Sequence, residues 1–405
     1  MSMPLHRVVV VGASAAGLTA AEALRRRGFD GTVTLIGDEP HPPYDRPPLS
    51  KQVLAGSWQP ERAALRDDTA LDALDAEFLL GRRAVGLDVD RRRVLLDGDG
   101  HDGHVGHVGH VDYDAVVIAT GVRPRSLPGA DLAGVHLLRT LDDALALRTR
   151  LLGDPKVVVV GAGFLGCEVA AAARTMGRDV TVVDPAPAPL HRLFGDRIGA
   201  RAAELHRDHG VVLRLGVGVT RFRSAAGRVI GLELADGSAL DADVVVLAVG
   251  AAPATGWLAD SGLPLADGVV CDDRCRAAPH VYAAGDVASW HNPLFGTRMR
   301  VEHRMNATEQ AMAVAGNLLG DDRPFAPVPY FWTDQYDTKI QAYGIFPAGA
   351  PCQITHGDPD EHRFVASYGY QGRVVGVLGW NSPREVRTMR RLITEHAPWP
   401  TAATV

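Results

Sequence analysis

Two runs of four consecutive valines, Val8–Val11 and Val157–Val160, have no polar position that could face water. A short run of this kind predicts a strand buried on both faces, as in a parallel sheet covered by helices. Both runs break in the same way. The first passes into Gly12-Ala13-Ser14-Ala15-Ala16-Gly17 and then Leu18-Thr19-Ala20-Ala21; the second passes into Gly161-Ala162-Gly163-Phe164-Leu165-Gly166 and then Cys167-Glu168-Val169-Ala170. Each predicts strand, tight turn and alanine-rich helix. Thr32–Ile36 and Val180–Val183 predict the strands that follow these helices. Tyr113–Gly121 and Asp243–Gly250 predict two further buried strands, each ending in a small-residue turn, so the two halves read as related modules. Val281-Tyr282-Ala283-Ala284-Gly285-Asp286 predicts a short strand meeting a Gly-Asp turn. Residues 309–319 predict a helix, Gly376–Trp380 a strand, and the final stretch an arginine-rich helix. Pro124 and Pro128-Gly129 mark a crossing between domains, and the proline-rich stretch 323–329 introduces a C-terminal unit.

A length of 405 residues predicts two or three domains. Aromatic residues make up only 6% of the chain and glycines number 44, which suits α/β layers joined by tight turns. The formal net charge of −6 argues against nucleic acid as a partner. No apolar run reaches the length of a membrane span, and the N-terminal sequence enters a strand without a signal-peptide pattern. Four cysteines with no C-x-x-C pair fit a reducing compartment. The expectation is a soluble cytoplasmic protein, with no nucleic acid and no membrane among its partners.

A strand that feeds a helix through a glycine turn sets a pyrophosphate against the helix's free N–H groups. An acid near the end of the next strand accepts hydrogen bonds from an adenosine ribose. Asp38 follows the first such strand and Asp184 ends the second. Two turns with two acids imply two dinucleotides; if one is a flavin and the other a nicotinamide, the chain carries reducing equivalents between them. Asp184 would repel a 2′-phosphate and no arginine follows it directly, so NADH is favoured over NADPH. Ser14 stands at the middle glycine position of the first turn; it is small enough to keep the backbone approach close.

Several segments carry a family resemblance over nearly the whole chain: Pro43-Tyr44-Asp45-Arg46-Pro47-Pro48-Leu49-Ser50-Lys51, Ala119-Thr120-Gly121, Leu138-Arg139-Thr140, Ala284-Gly285-Asp286, Val301-Glu302-His303, Asn306 and Tyr330-Phe331-Trp332-Thr333-Asp334-Gln335-Tyr336. The chain resembles the FAD-dependent NADH:ferredoxin reductases of bacterial oxygenase systems, which include the putidaredoxin, rubredoxin and biphenyl-dioxygenase ferredoxin reductases. The apoptosis-inducing factor of mitochondria is a more distant relative. The resemblance implies a glutathione-reductase-like fold with two Rossmann-like domains and an α+β C-terminal domain. Its implied boundaries are an FAD-binding domain at 1–121 and 251–325, an NAD-binding domain at 122–250 and an interface domain at 326–405.

The resemblance also implies site residues. FAD would lie at Gly12, Ser14, Ala15, Ala16, Gly17 and Asp38, with Thr120 and Gly121 at the neighbouring turn. Arg46 and Lys51 would run along its pyrophosphate and flavin, and Ala84 would meet the adenine. Arg139, Gly285 and Asp286 would hold the phosphate-to-ribityl stretch, and Arg304 and Trp332 would approach the isoalloxazine. NAD would lie at Gly161, Gly163, Phe164, Leu165 and Gly166, with Glu168 near the nicotinamide ribose and amide, Asp184 on the adenosine ribose and Gly250 at the edge. No side chain need be a nucleophile or a general base. Lys51 and Glu168 would assist, Lys51 by placing positive charge where a hydride arrives. Two positions depart from the usual pattern. Arg304 stands where relatives often carry an aromatic or apolar residue, and Cys167 replaces a common aliphatic.

The implied activity is hydride transfer from NADH to FAD, followed by single electrons passed to an iron–sulfur ferredoxin that serves an oxygenase. The alternatives are an NADH oxidase or quinone-type reductase, and a redox-sensing interaction protein like the apoptosis-inducing factor. A monomer or weak dimer is expected. Arg384, Arg387 and Arg391 share one face of the predicted final helix, with Arg390 beside them and Arg298 and Arg300 adding charge. Such a patch suits an acidic ferredoxin. No redox cysteine pair follows Lys51 or precedes Asp286, and Cys271 and Cys275 do not form one, which leaves a flavin as the only electron store. His101, His104, His107 and His110 recur at every third position. They are expected in an expanded hairpin loop, with no metal site.

Overall fold

The computed structural model describes residues 5–98 and 109–400. The chain forms two compact units. One comprises the described residues up to Asp45 together with Ala64–Arg123 and Ala252–Pro329. The other comprises Arg46–Ala63, Pro124–Ala251 and Tyr330 onward.

In the first unit the valine run is the strand Arg7–Val11. It sits near the middle of a six-stranded sheet in the order Arg276–Ala278, Val281–Ala283, Ala115–Ile118, Arg7–Val11, Thr32–Ile36, Glu77–Leu79. Val8 pairs in parallel with Val33 on one side and Ala115 on the other. Val8 to Val11 are no more than 2% exposed, as an uninterrupted apolar strand requires. The helix Ala15–Arg26 packs along the helix Arg304–Leu318. That second helix begins five residues before the expected Glu309. His303 is extended at its cap, and Arg304–Thr308 contains no glycine or proline to stop a helix. The strands Ala84–Asp88, Arg93–Leu96 and Gly109–Asp112 form a separate antiparallel sheet. His110 lies on its third strand. His101, His104 and His107 lie outside the described residues.

In the second unit the strand Lys156–Val160 is central to a parallel sheet in the order Val212–Leu215, Asp179–Asp184, Lys156–Val160, Val244–Leu247, Val135–His136. The helix Phe164–Thr175 follows it. A five-stranded antiparallel sheet follows in the C-terminal part, in the order Tyr330–Gln335, Thr338–Gly344, Arg373–Trp380, Arg363–Tyr370, Cys352–Asp358. The expected single arginine-rich helix is two short ones, Pro383–Met389 and Arg391–Thr394, meeting at Arg390. Arg390 is itself right-handed helical, at φ −50° and ψ −33°, and all four arginines are exposed.

Candidate functional site

Both glycine turns are closed by contacts that no side chain could share. Gly12 has φ +117°, and a Cβ there would lie 2.2 Å from the Ala119 carbonyl oxygen. Gly161 has φ +107°, and its Cβ would lie 2.3 Å from the Ala248 oxygen. The last glycines are tighter: a Cβ on Gly17 would sit 1.8 Å from the Gly12 oxygen, and one on Gly166 would sit 1.9 Å from the Gly161 oxygen. The middle positions are different. Ser14 and Gly163 are both extended with negative φ, −111° and −78°, so neither needs glycine's freedom. Ser14 therefore fits without strain.

The helix N-termini beyond these turns fit the pyrophosphate expected there. Neither Ala15–Arg26 nor Phe164–Thr175 has a side chain bonded to its first N–H groups, and neither has an acid in its first turn. The helix Leu141–Leu151 shows the contrast. Thr140 and Asp143 close a reciprocal cap, and Asp142 and Asp143 stand in its first turn. The N-termini of Ala15–Arg26 and Phe164–Thr175 thus keep uncapped donors and the positive end of the dipole, a setting that suits an anion.

The acids take up different settings. Asp184 accepts from Ala162 N–H at 2.6 Å and from Ala186 N–H at 2.7 Å, so its carboxylate is fixed beside the second turn. By sheet register its counterpart in the first unit is Gly37, and Asp38 lies one residue further on. Asp38 is exposed, with Arg123 at 3.9 Å. Gly285, at φ +78°, donates its N–H to Gln310 Oε1 at 2.9 Å. Gln310 also accepts from Asn306 at 3.2 Å and donates to Cys275 Sγ at 3.2 Å, which ties the Gly-Asp turn to the helix behind it. Thr120 Oγ1 donates to the Ala254 carbonyl at 3.0 Å, and Gly121 follows with φ +67°.

Lys51 and Glu168 meet in the second unit. Lys51 ends the short helical turn Pro47–Ser50, and its ammonium lies 2.7 Å from Glu168 Oε2. Ser50 Oγ donates to the same oxygen at 2.5 Å, and Thr333 Oγ1 donates to Oε1 at 2.8 Å. Arg46 Nη1 donates to the Arg139 carbonyl at 2.5 Å, so two residues far apart in sequence stand together. Arg304 is not a free cation. Its guanidinium pairs with Asp45 and donates to Thr308 Oγ1 at 2.6 Å, which anchors the start of the 43–51 segment. Phe164 packs edge-on against Phe194 and Phe331 within the apolar core. Trp332 stacks beside Tyr330 at 5.9 Å. Ala84 opens the strand Ala84–Asp88, and Gly250, at φ +92°, follows the strand Val244–Leu247.

All four cysteines are free thiols. Burial pushes Cys271 up to about 12 and raises Cys167 and Cys275 as well, so these three stay protonated. Cys167 donates weakly to the Ala162 carbonyl at 3.5 Å and behaves as a small core residue. Among the described residues no group of His, Cys, Asp or Glu is arranged to hold a metal.

Sequence reasoning missed Ser50, Thr333, Gln335 and His206. The available signal was alternation. In Tyr330–Gln335 the buried positions are Phe331, Thr333 and Gln335, so two polar residues occupy the inward face of a strand. His206 is 1% exposed, and burial pushes its imidazole down to about 4 from an ordinary 6.5. The unfolded chain therefore binds the extra proton between those values, and stability is intact above pH 6.5. It is lost by up to ~1.4 kcal/mol per pH unit as pH falls toward 4. His303, in the other unit, is likewise pushed down to about 4 by burial. Thermal melting should fall from pH 7 to pH 5, and His206→Gln should flatten the part of that fall that belongs to the second unit.

Two sheets with parallel central strands, each with a glycine turn and an uncapped helix N-terminus, define a protein built for two dinucleotides, without a cysteine pair as electron store among the described residues. Comparison with known proteins agrees. The pyridine nucleotide-disulphide oxidoreductase family matches residues 6–311, and the reductase C-terminal family matches residues 330–405. Rhodocoxin reductase of Rhodococcus erythropolis is 37% identical, over 96% of this chain and 90% of its own. The ferredoxin–NAD(+) reductase component of the anthranilate 1,2-dioxygenase system of Burkholderia cepacia is 39% identical, over 96% and 94%. The solved covalent putidaredoxin reductase–putidaredoxin complex matches with a TM-score of 0.91 at 33% identity, over 97% of this chain and 94% of that one. The chain belongs to the pyridine nucleotide-disulphide oxidoreductase family and carries that family's reductase C-terminal domain.

Proposed function

We propose that this protein is an FAD-dependent NADH:ferredoxin oxidoreductase that supplies electrons to an oxygenase through an iron–sulfur ferredoxin. The observation that carries the reading is the pair of uncapped helix N-termini behind glycine turns, in a chain whose buried cysteines are protonated and unpaired. Bound FAD would supply the capacity to accept a hydride and to release electrons singly. The chain's own part is positioning and charge. Gly12, Ser14, Ala15, Ala16 and Gly17 hold one dinucleotide. Gly161, Gly163, Phe164, Leu165 and Gly166, with Asp184, hold NADH. Lys51 brings positive charge to hydride transfer, and Glu168 fixes that lysine and meets the nicotinamide ribose and amide. The domain assignment of FAD to 1–121 and 251–325, NAD to 122–250 and the partner interface to 326–405 is part of this proposal. So is a cytoplasmic location, which the free cysteines support. Among the described residues no helix is long and apolar enough to cross a membrane.

The ferredoxin docks on the C-terminal domain, against the exposed Arg384, Arg387, Arg390 and Arg391. Arg390 also lies over the Tyr343 ring, 5.8 Å from its centroid. Exchanging Arg384, Arg387 and Arg391 for glutamate should raise the KM for an acidic ferredoxin about 10- to 100-fold at low salt. The difference should shrink as ionic strength rises. The rate at which NADH bleaches the flavin should not change. Brisk NADH oxidation with oxygen or a quinone and none with any ferredoxin would overturn the assignment of partner.

A further inference from the structure

The hydrogen bonds that reach Glu168 do not stop at Thr333. Gln335 is two residues further along the same strand and fully buried. It donates from Nε2 to Thr333 Oγ1 at 3.3 Å. Its Oε1 faces His206 Nε2 at 3.0 Å, and a carbonyl oxygen can only accept, so His206 carries its proton on Nε2. His206 Nδ1 is then free to accept from the Tyr336 hydroxyl at 3.3 Å. The Tyr336 ring in turn stacks on His209, with centroids 3.6 Å apart, and His209 is exposed. Every member belongs to one compact unit. The chain runs in a single sense: Tyr336 donates to His206, His206 to Gln335, Gln335 to Thr333, and Thr333 to Glu168.

Its surroundings are apolar. Cys167, Phe194, Leu205 and Phe331 belong to the buried cluster on these elements. Polar groups in such a place are costly unless each is satisfied, and a connected series strengthens each of its bonds by polarisation. Packing alone would be served as well by apolar side chains. What the series adds is direction: it ends on one oxygen of one carboxylate, opposite the oxygen that takes Lys51 and Ser50.

We infer that Gln335 and His206 are positioning residues that act through Thr333 to fix the Glu168 carboxylate, and with it the Lys51 ammonium, for the nicotinamide cofactor. The inference rests on the proposed role of Glu168 toward NADH. Glu168 faces Lys51 from the 46–63 segment and the protonated Cys167 on its own helix. His206 faces Tyr336 and His209.

The test is a double-mutant cycle on the flavin-loaded protein. Thr333→Val should slow flavin bleaching by NADH about 10-fold and Gln335→Leu about 3-fold, while Thr333→Ser should stay within about twofold of wild type. NAD+ binding measured by calorimetry should weaken about 3-fold in Gln335→Leu. In a Glu168→Gln background the same Gln335→Leu change should alter neither quantity. A merely structural role predicts equal losses in both backgrounds. That result, or a Gln335→Leu protein with wild-type bleaching and binding, overturns the inference. If Thr333→Val does not fold, Gln335→Leu decides alone, because it leaves the Thr333 hydroxyl in place. A wild-type protein that holds FAD but is not bleached by NADH refutes the functional reading itself. The binding cycle with NAD+ would still report on the relay.

Discussion

Gly17→Ala should give a colourless protein, and Gly166→Ala a yellow one that NADH no longer bleaches. A Cβ at either position would fall within 2 Å of a backbone oxygen, 1.8 Å at Gly17 and 1.9 Å at Gly166. Neither obstacle is a flexible side-chain tip. In each case the helix must retreat from the turn by more than an ångström to reach ordinary contact. That retreat carries the free N–H groups away from the pyrophosphate they serve, and overpacking adds a cost of ~1–3 kcal/mol. Nucleotide affinity should fall by at least ~100-fold, equivalent to ~2.7 kcal/mol. The two turns stand in different units, so each substitution should disable one nucleotide and spare the other. Gly163→Ala is the control for the fold. Its φ is −78° and a Cβ there meets no protein atom within 4 Å, so the protein should fold normally and keep its flavin, and any slowing of bleaching reads the approach of NADH to the turn. Flavin absorbance per protein and stopped-flow bleaching read both outcomes. A Gly17→Ala protein that keeps its full flavin would show that the first turn does not hold it.

The parts of this molecule that could be read from its sequence are those in which local pattern and function coincide. Val8–Val11 and Val157–Val160 predict buried strands, because a strand without polar positions has nowhere else to go. The turns after them predict their own geometry, because only glycine fits at Gly12, Gly17, Gly161 and Gly166. Ser14 looked like a defect in the motif, yet the middle position is extended with negative φ and tolerates it. What escaped is non-local. Arg304 looked like an intruder at a flavin, but its partner Asp45 lies 259 residues away in the chain. The cap of Thr140 and Asp143 was legible as a T-x-x-D pattern beside Arg139, although Arg139 entered only through the family resemblance. Thr333 and Gln335 fall within the 330–336 motif, which by itself assigns them no face. Strand alternation marks them as buried, but no periodicity shows that His206 or Glu168 will meet them. The break at Arg390 lies in a helical pattern with no proline or glycine at the junction, and Arg390 itself keeps helical φ/ψ, so no local signal marks it.

Lys51→Met should separate stability from activity. The Lys51 and Glu168 side chains are only 13% and 9% exposed, and their charged atoms lie 2.7 Å apart. Removing the ammonium leaves the carboxylate with Ser50 and Thr333 as donors and no countercharge. Breaking a nearly buried pair in this way typically costs ~3–5 kcal/mol. For a unit of this size that corresponds to a Tm lower by about 10 °C. Glu168→Gln should cost a similar amount, because it strands the ammonium. Combining Lys51→Met with Glu168→Gln removes both charges at little change in volume, so most of the lost stability should return. Hydride transfer should not return with it. If the lysine acts by placing positive charge where the hydride arrives, bleaching by NADH should be slowed about 100-fold in Lys51→Met. The double variant should be just as slow, despite melting near the wild-type temperature. A double variant that recovered both would mean that Lys51 serves the fold alone, and that the charge required for reduction comes from elsewhere in the chain.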